Sequence, residues 1–291
     1  MKPFQLIYHV THPGLLREAL EAWGISKRTL ASVKYGGGQI LVNGEEVTVR
    51  HPVKQGDAVT VIFPNEQQGK GLTAEDGPLK IVYEDEALLI IEKPPMQNTI
   101  PSREHPFGSI ANIVAKHFND NGIPSTLHIA TRLDRDTSGL VCIAKNRHIH
   151  HMISLQQQEK KMKRRYEALV HGLVERDEFT ITEPIGRKGS SIIEREVRSD
   201  GQFAETEVQV IKRLKGYCHI RLQLNTGRTH QIRVHLAHVG HPLVGDDLYG
   251  GSRKWINRQA LHCTELQLIH PVSGKLLVFH SSLNDDMQSL L

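Results

Sequence analysis

The chain has 291 residues, of which 38% are hydrophobic and 23% carry a charged side chain, and its formal net charge at pH 7 is +4. This composition is typical of a folded globular protein and excludes a disordered or fibrous chain. It contains no run of 18 or more apolar residues, which argues against a membrane span, and its N-terminal segment lacks the apolar core of an export signal.

The three cysteines, Cys142, Cys218 and Cys263, are widely spaced and lie in apolar, strand-like segments. An odd number of separated cysteines favours reduced, buried thiols over disulfides or a zinc ribbon. We therefore expect a cytoplasmic protein. The small positive charge permits a nucleic-acid partner without requiring one.

A change of composition at residues 64–78 divides the chain. This segment, PNEQQGKGLTAEDGP, is rich in Gly, Pro, Gln and acidic residues and contains one isolated leucine. Such a composition is typical of a linker. We therefore expect a small domain over residues 1–63, a linker over 64–78 and a larger domain over 79–291.

The small domain is predicted to combine two short helices with a small antiparallel sheet. Apolar residues recur at helical spacing between residues 15 and 33, with an interruption at Gly24, and Ser26 is a suitable cap for the second helix. The alternating segment that follows contains Asn43-Gly44, a strong signal for a tight hairpin turn.

The larger domain is rich in strand-like segments that mostly follow one another directly. Amphipathic helices are predicted within residues 108–122 and 146–161, and another helix is predicted to begin at Thr229 and to end near Gly240. Because strands outnumber helices and rarely alternate with them, we expect an α+β fold with a mixed, largely antiparallel sheet and flanking helices.

The segment RLDRDTSGL, residues 132–140, lies between two apolar runs and predicts a strand, a tight loop and a second strand. One interpretation is a solvated turn with compensating charges. A second is a magnesium-dependent phosphotransfer motif, with Asp134 as the nucleophile and Asp136 as the acid. That motif needs an apolar strand directly before it and a parallel sheet, which the surrounding sequence does not provide. A third is a single catalytic carboxylate held by a cation.

The third interpretation requires a cation from elsewhere, and residues 226–251 are the best source. Arg228 directly precedes the predicted helix start, where an anionic partner would stabilise it. His235 and His238 raise a metal-site alternative because they are three positions apart. The segment contains neither an HExxH pattern nor a cysteine, and we predict no metal site.

Two groups of basic residues are candidates for contacts with RNA phosphates. Solvated helix ends are the simpler interpretation of both groups, but the first group precedes Tyr166, an aromatic residue at the head of an apolar strand. This arrangement also fits a phosphate-contacting edge beside a base-stacking ring. The candidates are Lys163, Arg164 and Arg165 in the larger domain, and Lys27, Arg28 and Lys34 in the small one.

Taken together, five segments resemble, in order, the motifs of the RluA/RluD-type RNA pseudouridine synthases. The first 63 residues are similar to a small RNA-binding domain that often precedes the catalytic domain of this family and is shared with a small-subunit ribosomal protein. The five segments are VYEDEALLIIEKPPM, RLDRDTSGLVCIAKN, YEALVHG, LNTGRTHQIRVHLAHVGHPLVGDDLYGG and RQALHCTELQLIHP.

The resemblance implies a role for each matched residue. Asp134 would be the catalytic carboxylate and Arg228 its ion-pair partner, while Tyr166 would stack on the target base and assist proton removal. Arg132 would help to displace that base from its helix. The family usually has His before Arg-Leu-Asp, whereas this chain has Thr131, a difference that bears more on RNA conformation than on chemistry.

The sequence therefore predicts a cytoplasmic, monomeric enzyme that isomerises specific uridines in structured RNA, ribosomal RNA in preference to transfer RNA. Isomerisation has no redox step and no group enters or leaves, so neither a cofactor nor a metal is expected. Direct attack by Asp134 on the anomeric carbon and proton removal from the neighbouring sugar carbon both stay open. The alternative is a non-catalytic RNA-binding or ribosome-assembly factor with the same fold.

Overall fold

The computed structural model of the chain describes residues 3–66 and 71–291. Within these ranges no helix is both long and apolar enough to cross a membrane. The first 63 residues contain short strands and two helices. In chain order they are β1 (Gln5–His9), β2 (Gly14–Leu15), α1 (Leu16–Ala22), α2 (Lys27–Tyr35), β3 (Gln39–Val42), β4 (Glu45–Glu46), β5 (Pro52–Val53) and β6 (Ala58–Ile62).

These elements surround a core of their own, formed by apolar side chains from β1 to Phe63. The strands β1, β6, β3 and β4 form a four-stranded sheet in that order. Ser26 caps α2, since its hydroxyl accepts a hydrogen bond from the backbone N–H of Thr29 at 3.1 Å. Asn43 and Gly44 both have positive φ and form the turn between β3 and β4. The predicted cap and hairpin turn are confirmed.

The rest of the chain is dominated by strands, with four further α-helices and one short 3-10 helix, Asp247–Tyr249. The elements are β7 (Lys80–Glu84), β8 (Leu88–Lys93), α3 (Ile110–Asp120), β9 (His128–Ile129), β10 (Ser138–Ala144), α4 (Arg147–Gln158), β11 (Lys163–His171), β12 (Glu178–Ile181), β13 (Ile185–Arg187), β14 (Arg195–Val197), β15 (Thr206–Arg213), β16 (Tyr217–Leu224), α5 (Gln231–His238), β17 (Leu261–Ile269), β18 (Leu276–His280) and α6 (Asp285–Gln288).

Ten of these strands form one sheet. Eight follow the order β12-β15-β16-β11-β17-β10-β8-β7, while β18 pairs with β17 and β9 pairs with β10. The central contact between β10 and β17 is parallel. Its neighbours β10–β8 and β11–β17 are antiparallel, as are the pairs further out. The expected α+β fold with a mixed, largely antiparallel sheet is confirmed.

Helices α3 and α4 cover the sheet because each presents an apolar stripe. Ile110, Val114 and Phe118 of α3 and Ile149 and Ile153 of α4 are buried in the core that also contains β8 and β10. The caps follow from the sequence, because the Ser109 and Asn146 side chains accept hydrogen bonds from the backbone at the starts of these helices. Both helices fall within the ranges predicted for them.

The described part of residues 64–78 is attached to the larger domain by Glu66. Its carboxylate oxygen Oε2 lies 2.5 Å from His128 Nε2, at hydrogen-bond distance. Its Oε1 accepts a hydrogen bond at 2.9 Å from the backbone N–H of Arg147, at the start of α4. Burial alone would raise the pKa of Glu66, but these hydrogen bonds and one from a neighbouring threonine lower it to about 2. Residues 67–70 of the expected linker lie outside the described residues.

Candidate active site

The loop that carries Asp134 joins β9 to β10, as the strand-loop-strand prediction requires. Thr99 anchors it, because its hydroxyl donates to the Leu133 carbonyl at 2.7 Å and accepts from the Leu133 N–H at 3.2 Å. The N–H of Thr137 donates to the backbone carbonyl of Asp134 at 3.1 Å and closes the turn. The backbone is therefore fixed, while 29% of the Asp134 side chain stays exposed.

A fully buried lysine supports the loop from below. Lys93 ends β8, and its Nζ donates to the carbonyl oxygens of Pro94, Gln97 and Arg135 at 2.7, 2.8 and 2.9 Å. Burial lowers the pKa of Lys93 to about 7, although two nearby carboxylates of the loop oppose this shift. Lys93 thus ties the end of β8 to the loop that carries Asp134.

The cation beside Asp134 is Arg233. Its Nη1 lies 3.2 Å from Asp134 Oδ2, and only 8% of its side chain is exposed. Arg228 is exposed, and its Nε donates to the carbonyl of Phe203 at 2.9 Å. The prediction that Arg228 pairs with Asp134 is therefore wrong. Arg228 lies ahead of the helix, exposed at the rim of the cleft, whereas Arg233 lies within α5, where residues 231–236 are all buried.

The helix start explains this difference. Helix α5 begins at Gln231 and is preceded by His230 in the left-handed conformation, so Thr229 is not its cap as predicted. The Gln231 side-chain oxygen accepts hydrogen bonds from the Thr226 hydroxyl at 2.7 Å and from the Arg228 N–H at 2.9 Å. These bonds close the loop before the helix and set which side chains of α5 face inward.

Arg233 is itself held in place by a second carboxylate. Asp246 Oδ2 and Oδ1 accept hydrogen bonds from its Nε and Nη2 at 2.7 and 2.8 Å, and the side chain of Asp246 is completely buried. The guanidinium carbon also lies 4.9 Å from the centre of the Tyr249 ring. Burial alone would lower the pKa of Arg233, but Asp246 and Asp134 raise it. Arg233 therefore stays charged and immobile between two carboxylates.

Tyr166, on β11, lines the same cleft as Asp134 and Arg233. Only 3% of the residue is exposed, and a β-bulge separates it from Arg165 in the pairing with β17. Burial raises the pKa of the Tyr166 hydroxyl, with a smaller opposing effect from Arg164. The phenol is thus neutral at physiological pH, where it can offer a ring but not a phenolate base.

Three arginines surround the cleft that contains Asp134. Arg132, Arg164 and Arg228 all line it. Gly227 lies beside the end of the Arg164 side chain, since a Cβ at that position would lie 2.8 Å from Arg164 Nη2. The cleft therefore combines a carboxylate with a positively charged rim, which suits a polyanionic substrate.

Arg165 does not belong to this cleft. Its Nη1 forms an ion pair with Glu265 Oε1 at 2.8 Å, on the opposite face of the sheet from Tyr166. Successive side chains of a strand point to opposite faces, so Arg165 cannot share the face of Tyr166. Arg165 therefore lies outside the cleft of Asp134, and its contact with RNA stays a prediction. Lys163 is exposed at the start of β11.

The basic residues of the small domain lie together on α2. Lys27, Arg28 and Lys34 are all exposed. The Lys34 ammonium lies 5.2 Å from the centre of the Tyr35 ring, which is itself 82% exposed. Their contact with RNA stays a prediction.

Thr131 stands at the position where the family usually has His. Its side chain is buried and forms a hydrogen bond with the protein backbone. Its hydroxyl accepts a hydrogen bond from the N–H of Cys142 at 2.8 Å. The side chain is used inside the protein, so it does not face the cleft as a base-contacting group.

Within residues 3–66 and 71–291, no group of three or more His, Cys, Asp or Glu side chains is arranged to hold a metal ion. His235 and His238, the histidines of the metal-site alternative, show the reason. His235 Nδ1 lies 2.9 Å from the Thr206 hydroxyl and its Nε2 lies 2.9 Å from the Glu183 carbonyl, so both ring nitrogens are used. His238 is exposed at the end of α5.

Sequence reasoning missed several residues that build the site. Arg233, Asp246 and Tyr249 form the charged support behind Asp134, and Lys93 supports its loop. Arg258, only 4% exposed, donates to the Asp136 carbonyl at 3.2 Å. In the sequence, the position of Arg233 between Ile232 and Val234 on a short helix indicates burial. Lys93 directly follows an apolar run, which indicates a lysine at the buried end of a strand.

The mixed sheet thus carries a cleft that combines a carboxylate, a buried guanidinium and an aromatic ring. A family model described as RNA pseudouridylate synthase matches residues 87–238. The Bacillus subtilis protein named "Uncharacterized RNA pseudouridine synthase YjbO" is 50% identical over 268 residues, covering 92% of this chain and 95% of that protein. Ribosomal large subunit pseudouridine synthase D of Pseudomonas aeruginosa is 37% identical over 268 residues, covering 87% and 83%.

The chain therefore belongs to the RluA/RluD-type RNA pseudouridine synthases, and it is an RNA pseudouridine synthase. Among solved structures, human RNA Pseudouridylate Synthase Domain Containing 1 superposes with a TM-score of 0.58 at 24% identity, covering 72% of this chain and 86% of that one. This likeness concerns the fold of the catalytic domain. The isomerase class is thus favoured over both the phosphotransfer and the non-catalytic alternatives.

Proposed function

We propose that the enzyme isomerises specific uridines in ribosomal RNA, with Asp134 as its catalytic carboxylate. The choice of ribosomal RNA is supported by relatives named ribosomal large subunit pseudouridine synthase D, which are 33–37% identical to this chain. The role of Asp134 is carried by one observation, its position in a cleft at 3.2 Å from the buried guanidinium of Arg233.

The reaction breaks the bond from uracil N1 to the anomeric carbon and joins that carbon to uracil C5. C5 loses one proton and N1 gains one, so the product is an isomer of the substrate and no electrons are exchanged. The carboxylate must be ionised to act, and a neighbouring positive charge favours that form. We therefore assign to Arg233 the counter-ion role that the family resemblance gave to Arg228.

Two routes are open to Asp134. The carboxylate either attacks the anomeric carbon and forms a transient ester, or takes a proton from the neighbouring sugar carbon and forms a glycal. Both routes require the sugar of the target nucleotide to face Asp134. Both also require the base to rotate before it rejoins the sugar, so the base must be held without being bonded.

The target base must first leave its stack, at a cost of a few kcal/mol. We assign Arg132 to the space that the base vacates and Tyr166 to the ring surface that receives it. Since burial raises the pKa of the Tyr166 hydroxyl, Tyr166 is assigned to stacking and not to proton removal as a phenolate.

Contacts with RNA phosphates are assigned to the basic residues around the cleft and on the small domain. We place the enzyme in the cytoplasm as a monomer, an assignment that fits its three free, buried cysteines. The phosphate-contacting residues are Arg164, Arg228 and Lys163 on the catalytic domain, and Lys27, Arg28 and Lys34 on α2.

Tritium release tests the proposal. Ribosomal RNA labelled at C5 of uracil is prepared from a strain that lacks the gene, because only that RNA keeps the target uridine unmodified. Wild-type enzyme should release tritium to water, whereas Asp134→Asn should bind the same RNA and release none. Undiminished release by Asp134→Asn would show that Asp134 is not the catalytic carboxylate.

Pseudouridine mapping in the same strain tests the choice of substrate. A ribosomal RNA position should lose its pseudouridine in the deletion strain and regain it with wild-type protein but not with Asp134→Asn. If the only positions that behave in this way lie in transfer RNA, the ribosomal assignment is wrong while the enzyme class stands.

A further inference from the structure

Both described contacts of the Asp134 carboxylate fall on the same oxygen. Arg233 Nη1 lies 3.2 Å from Oδ2, and His230 Nε2 lies 3.7 Å from Oδ2. His230 is the last residue before α5, and only 12% of its side chain is exposed. A catalytic hydrogen bond is often long in the free enzyme and shortens when substrate binds. The two donors thus approach Asp134 from one side.

The contacts of Tyr249 fit a neutral His230 that carries its hydrogen on Nε2. The Tyr249 hydroxyl oxygen accepts a hydrogen bond from the backbone N–H of Arg195 at 2.9 Å and lies 2.8 Å from His230 Nδ1. A backbone N–H can only donate, so the Tyr249 proton is free to donate to Nδ1. This assignment satisfies each group, and it leaves the hydrogen of the neutral imidazole on Nε2, directed at Asp134.

The backbone of His230 adopts a conformation that is unusual for a residue with a side chain. Its φ is 57°, in the left-handed region that costs a residue with a side chain about 1–2 kcal/mol. The imidazole packs edge-on against Tyr249, with ring centres 5.7 Å apart at 84°. Burial lowers the pKa of His230, although the charge of Asp134 opposes the shift, and this favours the neutral imidazole.

Tyr249 also contacts the other donor, since its ring lies 4.9 Å from the guanidinium carbon of Arg233. We propose that His230 and Tyr249 are positioning residues of the isomerisation. Tyr249 orients His230 so that His230 and Arg233 together hold Oδ2 of Asp134, which leaves Oδ1 as the oxygen that reacts with the sugar. This inference rests on the proposed role of Asp134.

Fixing one oxygen has a chemical consequence for either route. A carboxylate that rotates freely offers two oxygens in many orientations, whereas a carboxylate held at Oδ2 directs Oδ1 at one point in the cleft. Correct orientation of a reacting group accounts for a large part of enzymatic rate enhancement. The charged and titratable groups around this carboxylate are His230 just before α5, Arg233 of α5, Tyr249 after it, Lys93 of β8, Tyr166 of β11 and the three arginines of the cleft, Arg132, Arg164 and Arg228.

The first test is Tyr249→Phe, which keeps the ring beside Arg233 and removes only the hydroxyl. Tyr217→Phe is the matched control, because the Tyr217 hydroxyl donates to the Leu290 carbonyl at 2.7 Å, outside the cleft. We expect Tyr249→Phe to lower the single-turnover rate of tritium release about three- to tenfold, the effect of one hydrogen bond, at saturating enzyme on the labelled ribosomal RNA. Tyr217→Phe should leave this rate unchanged, and RNA affinity should change less than twofold in both variants.

The second test changes His230 itself. His230→Ala should lower the rate about 10- to 100-fold, because a hydrogen bond to a charged group is lost. His230→Asn should recover part of this loss, since Asn tolerates the left-handed backbone and also offers an N–H donor.

The outcomes separate this inference from the proposed function. If Asp134→Asn is inactive but Tyr249→Phe and His230→Ala both match wild type, the positioning role is wrong and Asp134 keeps its role. Equal losses of rate in His230→Ala and His230→Asn, with a lowered melting temperature in both, would indicate a structural role only and would overturn the inference. If Asp134→Asn is active, the proposed function itself fails.

Discussion

At the scale of single residues, the central feature is one buried guanidinium between two carboxylates. Arg233 donates two hydrogen bonds to Asp246, which is fully buried, and a third to Asp134, which is partly exposed. The two carboxylates have different tasks, because only Asp134 can reach a substrate. Asp246 holds the guanidinium still and adds the negative charge that keeps Arg233 in place when the charge of Asp134 changes during the reaction.

The substitution Arg233→Gln should therefore affect both stability and catalysis. It leaves Asp246 buried without a cation, a change that typically costs about 3–5 kcal/mol, and it removes the counter-ion of Asp134. We expect a loss of that size in urea denaturation and no measurable tritium release. Arg228→Gln is the control, since the exposed Arg228 should alter RNA affinity but neither stability nor the rate at saturation. Equal effects of the two substitutions on stability would contradict this account.

At the scale of elements, the site depends on the parallel contact between β10 and β17. Gly139, at the start of β10, pairs with Cys263 and has a φ of 110°. A Cβ at this position would lie 2.3 Å from the backbone oxygen of Cys263. The glycine therefore allows β17 to approach directly behind the Asp134 loop, and the loop takes its position from that contact.

The substitution Gly139→Ala should force β10 and β17 apart. The expected cost is roughly 3 kcal/mol or more, since backbone strain and a clash with backbone atoms act together. Gly189→Ala is the matched control, because no heavy atom lies within 4 Å of the Cβ it would add. Urea midpoints measure the difference, and a Gly139→Ala midpoint equal to that of Gly189→Ala would contradict the importance of this contact.

The elements also differ in how well the sequence predicts them. Helices α3 and α4, the hairpin turn at Asn43 and the Asp134 loop follow from local patterns, because each is determined by its own apolar spacing or turn residues. The partner of Asp134 was misassigned because the start of α5 is set by hydrogen bonds of the Gln231 side chain. The sequence could not show that Arg164 lines the cleft while Arg165 does not, because a basic run does not reveal which face of a strand each side chain occupies.

At the scale of the whole molecule, a buried aromatic contact joins the two cores. Phe63, which follows the last strand of the small domain, stacks on His148 of α4, with ring centres 5.0 Å apart at 17°. His148 is 1% exposed, and among the described residues neither of its ring nitrogens has a hydrogen-bond partner. The contact between the two cores therefore includes a buried histidine without hydrogen bonds to its ring, an environment that favours its neutral form.

This contact makes stability depend on pH. Burial lowers the pKa of His148 from 6.5 to about 4, and nearby His151 adds to the effect. Between these values the unfolded chain binds a proton that the folded chain does not, so stability falls as the pH decreases from about 6.5 to about 4. The full shift corresponds to roughly 2–3 kcal/mol.

The substitution His148→Phe keeps the stacking on Phe63 and removes the titrating group. We expect it to be more stable than wild type by roughly 2 kcal/mol in urea denaturation near pH 4.5, with a much smaller difference at pH 8. His105→Phe makes the same exchange at an exposed loop position. Its stability relative to wild type should be the same at pH 4.5 and at pH 8. A gain for His148→Phe that is equal at both pH values would reflect packing alone, and it would show that His148 does not couple the joining of the two domains to pH.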